Sequence, residues 1–103
     1  ITLIMETKNV ITVTEFCQHY NIPEQFILSL NEYELVELAK ENNTPCIYIT
    51  EIQTIEKLIR FHFELDINME GIHAITNLLN KVERLQEDVK ALNNKLMFYE
   101  QVT

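Results

Sequence analysis

The sequence predicts a mainly α-helical protein with a small N-terminal head and one long C-terminal coiled-coil dimerisation helix. Two observations predict this fold: short apolar segments alternate with turn residues along the N-terminal part, and an unbroken heptad pattern occupies the C-terminal part. A chain of 103 residues has room for one domain and an extension. We therefore predict a head over residues 1–67 and a C-terminal helix over residues 68–103.

The composition is typical of a folded globular chain. Apolar residues make up 47% of the chain and charged residues 23%, and no apolar run approaches the roughly 20 residues that cross a bilayer. The first residues lack the basic leader and the cleavage site of a secretory signal. Because one disulfide is not the framework of a secreted domain, we expect Cys17 and Cys46 to be reduced thiols in a cytoplasmic protein.

The head begins with a predicted helix-turn-helix. An extended, β-branched stretch at residues 10–13 leads to Thr14, which we predict to be the N-cap of a first short helix. Asn21 tolerates the left-handed conformation and is expected to end that helix. Pro23 suits the first turn of a second helix. The buried face of this second helix is predicted from apolar residues spaced three and four apart, namely Phe26, Ile27, Leu30 and Tyr33.

A β-hairpin and a third helix complete the predicted head. Strands at residues 35–38 and 46–49 flank a polar stretch at residues 40–45, which is typical of a hairpin, or wing. Thr50 and Gln53 have the spacing of a capping box, so a third helix is predicted to follow and to end near residue 65. Its predicted inner face comprises Ile52, Ile55, Leu58, Ile59 and Phe63.

The C-terminal part contains the most regular pattern in the sequence. Asn68 is predicted to cap the last helix, and the apolar positions after it alternate spacings of three and four, which is the period of a left-handed coiled coil. The predicted dimerisation seam comprises Ile75, Leu78, Val82, Leu85, Val89, Leu92, Leu96 and Tyr99. Leu79 and the pair Met97-Phe98 widen the stripe, which leaves open an association of more than two helices. The alternative is that this face packs onto the chain's own head.

The first 75 residues carry the whole excess of negative charge. The formal net charge is −8; residues 1–75 hold 12 acidic and 4 basic side chains, and residues 76–103 hold 4 of each. Nucleic-acid-binding proteins gain affinity from Lys and Arg side chains that replace phosphate counterions, so this head is predicted to repel DNA. A basic protein partner is expected to be attracted instead.

Little in the sequence indicates catalysis. Gly71 is the only glycine, which excludes glycine-rich phosphate loops. Cys17 and His19 are residue types that bind zinc, but no second pair follows at finger-like spacing. His62 and His73 are more typical of surface or partly buried histidines than of ligands or bases. The sequence therefore predicts neither an enzyme nor a metal or cofactor site.

The second helix is the predicted partner-binding element. Leu28 is its apolar residue that is not assigned to the core, and acidic side chains surround it. Such a pattern is typical of a small protein contact rather than of a helix that reads DNA. The predicted partner-binding residues are Glu24, Leu28 and Glu32. Glu34 and Glu37 extend the acidic run, which is either a solvated edge or a docking surface.

Several stretches of the sequence together resemble the winged helix-turn-helix and linker of MerR-type regulators. These stretches are residues 12–17, 21–22, 47–49 and 59–72. The resemblance is closer to one branch of that fold, the CbpM-type chaperone modulators. The Arg-x-His-x-Glu-Leu sequence at residues 60–65, the Gly-Ile step at residues 71–72 and the closing helix carry this closer match.

The resemblance implies that the protein binds the J-domain of a DnaJ-like co-chaperone, CbpA, and restrains it. MerR-type recognition helices resemble Thr-Leu-Arg-Tyr-Tyr, whereas residues 26–30 of this chain are Phe-Ile-Leu-Ser-Leu, without the arginine and the tyrosines. The leading hypothesis is therefore a homodimeric adaptor that inhibits a J-domain co-chaperone. The alternative is a MerR-like DNA-binding transcription regulator. A metal sensor is disfavoured because the C-terminal tail has no cysteine.

Overall fold

The computed structural model describes residues 4–5 and 9–102. The expectation about a secretory signal concerns the first few residues, most of which lie outside this described part. The predicted mainly α-helical fold is confirmed. In chain order the elements are β1 (Ile4–Met5), β2 (Val10–Thr12), α1 (Val13–Tyr20), α2 (Glu24–Glu32), β3 (Leu38–Glu41), β4 (Thr44–Tyr48), α3 (Ile52–Ile59) and α4 (Met69–Val102).

The chain divides into two compact units, Ile1–His73 and Ala74–Thr103, which we call the head unit and the helix unit. The predicted boundary after residue 67 lies just before α4, whereas the first turn of α4 belongs to the head unit. Ile72, in that turn, is completely buried in the core. The other fully buried large side chains of this core include Phe16, Ile27, Leu30, Ile47, Ile55 and Leu58.

The helix-turn-helix is confirmed, but its first cap is displaced. Thr12, not the predicted Thr14, is the N-cap of α1: its Oγ1 accepts a hydrogen bond from the backbone N–H of Glu15 at 3.1 Å. The prediction was wrong because strand β2 ends at Thr12, where the backbone is still extended, and extended geometry is what an N-cap requires. Asn21 ends α1 as predicted, with φ 56° and ψ 50°.

Helix α2 follows directly on the turn. Pro23 precedes its first residue, and the backbone N–H of Phe26 donates to the Pro23 carbonyl at 3.1 Å. Phe26, Ile27 and Leu30 are buried, as the spacing predicts. Tyr33 lies just after the helix and is only partly buried. The sequence therefore predicted the inner face of α2 correctly, except at its last position.

The wing is longer and its turn is tighter than predicted. Strand β3 covers Leu38–Glu41 rather than residues 35–38, and β4 begins at Thr44. Asn42 and Asn43 alone turn the chain, with φ values of 53° and 64°. The other polar residues that were predicted to form a loop therefore belong to the two strands and pair in register. Two adjacent left-handed residues form the turn that best matches strand twist. The sheet is antiparallel, with strand order β1-β2-β4-β3.

The third helix departs from prediction at both ends. Thr50 does not form the predicted capping box with Gln53; it lies in a 3-10 turn, Ile49–Glu51, and the N–H of Ile52 donates to the Ile49 carbonyl instead. After α3 the chain continues as a π-helical segment, Arg60–Glu64. The extra residue in this turn rotates the following side chains, and Phe63 is 47% exposed rather than on the inner face.

Helix α4 begins where the sequence predicts. The Asn68 side-chain oxygen accepts a hydrogen bond from the Gly71 backbone N–H at 2.8 Å, which confirms Asn68 as the cap. A Cβ atom at residue 71 would lie 2.7 Å from Cγ2 of Ile67, closer than real contacts allow. The single glycine therefore allows the first turn of α4 to pack closely against the preceding segment.

Candidate protein-binding surface

The three predicted partner-binding residues form one column along α2. Glu24, Leu28 and Glu32 are each separated by four residues, which places them on the same helix face about 6 Å apart along the axis. Glu24 and Glu32 are exposed, and Leu28 between them is partly buried. The structure therefore places an apolar side chain between two carboxylates on the outer part of the helix-turn-helix.

Leu28 also lines a groove that sequence reasoning missed. The groove lies between α2 and the wing, and its volume is about 350 Å³. We call it the α2–wing groove; its lining residues are Leu28, Asn31, Leu38, Ala39, Lys40 and Pro45. Leu28 was predicted to be an exposed contact, but it forms one wall of this concave surface. Only the tertiary packing of the wing beside α2 creates it.

A hydrogen bond connects α2 to the N-terminal helix near the acidic column. The Thr14 hydroxyl donates to Oε2 of Glu24 at 3.3 Å. Cys17 is a buried residue of α1. The pKa of its thiol is raised to about 11, mainly by burial and also by the negative charge of Glu24. Cys17 is therefore protonated at neutral pH and serves as a small apolar core residue. Both cysteines are buried and free.

The remaining acids of the predicted run form a separate surface. Glu34 and Glu37 line a second groove of about 390 Å³, together with Asn31, Glu51 and residues 35–36. Glu32 is not part of it. Glu34 has a left-handed backbone with φ 60°, which turns the chain away from α2 directly after the helix. Within the acidic run, Glu32 thus belongs to the column on α2, and Glu34 and Glu37 belong to the second groove.

The predicted histidine and tyrosine positions have structural partners. The His62 ring stacks on Phe26 with centroids 5.0 Å apart, and its Nδ1 donates to the Ile67 carbonyl at 2.8 Å. The Tyr33 hydroxyl donates to the Glu70 carboxylate at 2.8 Å; this bond raises the tyrosine pKa and lowers the carboxyl pKa. Within the described ranges no group of three His, Cys, Asp or Glu side chains is placed to hold a metal ion, and His19 gains no such neighbours.

All eight predicted seam residues lie on α4. Ile75 is partly buried, and the other seven side chains, from Leu78 to Tyr99, are 47–64% exposed. The widening residues Met97 and Phe98 are 58% and 62% exposed. A shallow, strongly apolar hollow of about 290 Å³ lies in the stripe beside Val82, Leu85, Gln86 and Val89. The helix unit thus presents a continuous apolar stripe that the single chain leaves uncovered.

A comparison with protein-family models identifies the family of this chain. The protein-family model for the "MerR HTH family regulatory protein" matches residues 11–94. This range covers the helix-turn-helix, the wing and most of α4. The chain belongs to the MerR HTH family. No solved structure matches it.

Several curated relatives of the chain are chaperone modulatory proteins. The chain is 25% identical over 93 residues to the chaperone modulatory protein CbpM of Coxiella burnetii (strain Dugway 5J108-111), covering 87% of this chain and 86% of the relative. It is 26% identical over 86 residues to CbpM of Salmonella paratyphi A, covering 82% and 85%, and 23% identical to CbpM of Escherichia coli O1:K1 / APEC with the same coverage. These matches confirm the resemblance to CbpM-type chaperone modulators.

Helix α2 and the wing carry few basic side chains. The segment Glu24–Glu32 contains two carboxylates and no Lys or Arg, and the wing strands contain one base, Lys40. Phosphate contacts by basic side chains position winged helices on DNA, and this chain has almost none on either element. Among the residues that the structure describes, no helix combines the length and the apolarity needed to span a lipid bilayer.

Proposed function

We propose that this protein is a cytoplasmic chaperone modulator that binds the J-domain of a DnaJ/CbpA-like co-chaperone and inhibits its activity. The observation that carries the proposal is the column Glu24, Leu28 and Glu32, which occupies the helix that other MerR-type proteins use to read DNA. The names of the CbpM relatives support the modulator role. The family is regulatory, and this agrees with a function in binding rather than catalysis.

Electrostatics support a basic partner. Residues 1–75 hold 12 acidic and 4 basic side chains, so the potential of the head unit attracts positive surfaces. A J-domain presents a basic helix to its Hsp70-type partner. A modulator that covers this helix competes with the chaperone for the same charged surface, which is a direct route to inhibition.

A homodimer through α4 is part of the proposal. The exposed seam from Ile75 to Tyr99 has the coiled-coil period, and a second copy offers the same stripe as its complement. A dimer carries two head units and therefore two J-domain sites. J-domain co-chaperones that are themselves dimeric are then bound with a gain in avidity.

The first experiment measures binding kinetics and inhibition with a purified J-domain. Wild-type protein is expected to bind and to reduce J-domain-stimulated ATP hydrolysis by an Hsp70-type chaperone. Reversing both column charges, Glu24→Lys with Glu32→Lys, is expected to slow association about tenfold at low salt, because electrostatic steering acts on the association rate. The matched control is Glu83→Lys with Glu87→Lys on the helix unit, which changes net charge equally and leaves the column intact.

Leu28→Asp tests the apolar part of the same site. A charge in place of a central apolar contact acts mainly on dissociation, so the off-rate is expected to rise about tenfold or more. At physiological ionic strength exposed charges are screened beyond about 8 Å, and at higher salt this distance is shorter. The effect of Leu28→Asp on dissociation is expected to persist at high salt. If all three substitutions leave affinity within about twofold while the fold is intact, the site lies elsewhere, and the surface around Arg60 and Glu64 is the next to test.

DNA binding is the alternative function, favoured by membership of the MerR HTH family. We expect the protein to bind duplex DNA no better than an unrelated protein of equal negative charge. Its head unit has few Lys and Arg side chains that could displace the counterions of the DNA phosphates. Fluorescence anisotropy at low salt measures this. Sequence-selective binding at sub-micromolar concentration would reverse the ranking of the two functions.

A further inference from the structure

The α2–wing groove has the properties of a preformed docking site. Four of its six lining residues are apolar, and they come from both α2 and the hairpin. Asn31 closes one end: its side-chain amide donates to the Val36 carbonyl at 2.9 Å, which ties the α2 end to the segment that leads into β3. Walls fixed in this way cost little ordering entropy when a ligand enters.

The wing side chains that form the groove wall follow from the ladder. Leu38 pairs with Ile47, which is buried in the core, and Lys40 pairs with Pro45. Because successive strand residues point to opposite faces, these four side chains share one face of the wing, and the methyl group of Ala39 points to the other. A larger residue in place of Pro45 would extend into the groove.

Acidic side chains stand on either side of the groove along α2. Glu24 lies one helical turn before Leu28 and Glu32 one turn after it, each about 6 Å along the axis. The groove therefore presents an apolar centre with a carboxylate to either side along α2 and Lys40 on the wing side. The complementary ligand has an apolar side chain between two positive charges at the same spacing.

We infer that the α2–wing groove receives an apolar side chain of a partner helix that carries Lys or Arg about one turn before and one turn after it. The inference rests on the proposed function, with the basic helix of the J-domain as this partner. It assigns the wing, through Leu38 and Pro45, to the binding site. Leu28 then acts as one wall of a socket and not as a projecting contact. The carboxylates govern association, and the socket governs dissociation.

A groove-filling variant tests the inference. Pro45→Phe places a ring in the socket without changing charge, and it is expected to weaken J-domain affinity about tenfold or more, through faster dissociation at both low and high salt. Thr44→Phe is the matched control. It adds the same ring to an exposed position of the wing that does not line the groove, and affinity is expected to stay within about twofold.

A second measurement uses the wild-type protein and does not depend on how the variants fold. Methyl nuclear magnetic resonance during titration with the purified J-domain is expected to show the largest shifts at Leu28 and Leu38, with Overhauser contacts to an apolar side chain of the J-domain. Shifts confined to other surfaces, or wild-type affinity of Pro45→Phe, overturn the socket alone. Failure of the wild-type protein to bind any J-domain overturns both the socket and the proposed function.

Discussion

The two units of the molecule treat the same residue type in opposite ways. Leu30 in the head unit is 0% exposed, whereas Leu92 in the helix unit is 64% exposed. Burying a leucine side chain contributes roughly 1.5–3 kcal/mol, so the head unit realises within one chain a stabilisation that the helix unit leaves unused. The difference teaches that an apolar pattern predicts a surface that becomes buried. It does not show whether the same chain or another molecule buries that surface. The head unit has a self-contained core, and we propose that another chain covers the stripe on α4.

The largest expected effect comes from a charge in the seam of the helix unit. Leu85→Glu or Leu92→Glu places an unpaired carboxylate in the proposed dimer interface, at a cost of several kcal/mol. We expect sedimentation to show monomers that keep the spectrum of a folded head unit. The control is Asn94→Glu, which adds the same charge to α4 outside the seam and is expected to leave the dimer intact. An unchanged dimer mass in both seam variants would show that the stripe packs against another surface.

A matched pair of truncations sharpens the comparison between the units. Leu58 is 1% exposed and Leu85 is 62% exposed in the single chain. Leu58→Ala is expected to lower the free energy of unfolding of the head unit by about 2–5 kcal/mol, because it leaves a cavity in the core. Leu85→Ala is expected to weaken association and to leave that free energy unchanged.

Hydrogen exchange of the most protected amides in β4, at fixed protein concentration, measures the head unit alone. Equal losses of protection in the two variants would contradict the division into a self-contained core and an interface stripe.

A smaller effect is expected at the first helix cap. Thr12→Ala removes the acceptor for the Glu15 backbone N–H and is expected to destabilise the head unit by about 1 kcal/mol, with chemical denaturation as the measurement. Thr14→Ala is the control. It removes only an exposed hydrogen bond to Glu24, and a loss of no more than about 0.5 kcal/mol is expected. A larger loss at Thr14 than at Thr12 would restore Thr14 as the cap.

Local sequence rules predicted those features that depend on neighbouring residues. Asn21 as the end of α1, Asn68 as the cap of α4 and the inner face of α2 each depend on side chains within a few positions, and the structure confirms them. The wing was predicted as a hairpin with the wrong limits. Its turn residues, Asn42 and Asn43, were recognised as loop formers, but polar residues beside them were not recognised as strand.

Features set by distant contacts were not predictable from the sequence. Thr12 is the cap because β2 pairs with β4 up to that residue, opposite Cys46. The π-helical segment at residues 60–64 depends on a hydrogen bond from the Leu65 N–H to the Arg60 carbonyl, which no apolar period encodes. The column on α2 was found from spacing alone. The socket beside it was missed, since Leu28 and Pro45 meet only after the wing folds against α2.

The turns of this chain are built almost entirely without glycine. Of the six non-glycine residues with positive φ in the described part, four are asparagines, including Asn21 and both turn residues of the wing. Asparagine adopts this conformation readily, yet it restricts the disordered chain more than glycine does. A stiffer turn residue gains on the order of 0.4–1 kcal/mol through the unfolded ensemble where its native conformation is unstrained, and a left-handed backbone offsets part of that gain. The stability of these turns therefore depends on the freedom of the unfolded chain and on local backbone strain, and an inventory of native contacts includes neither.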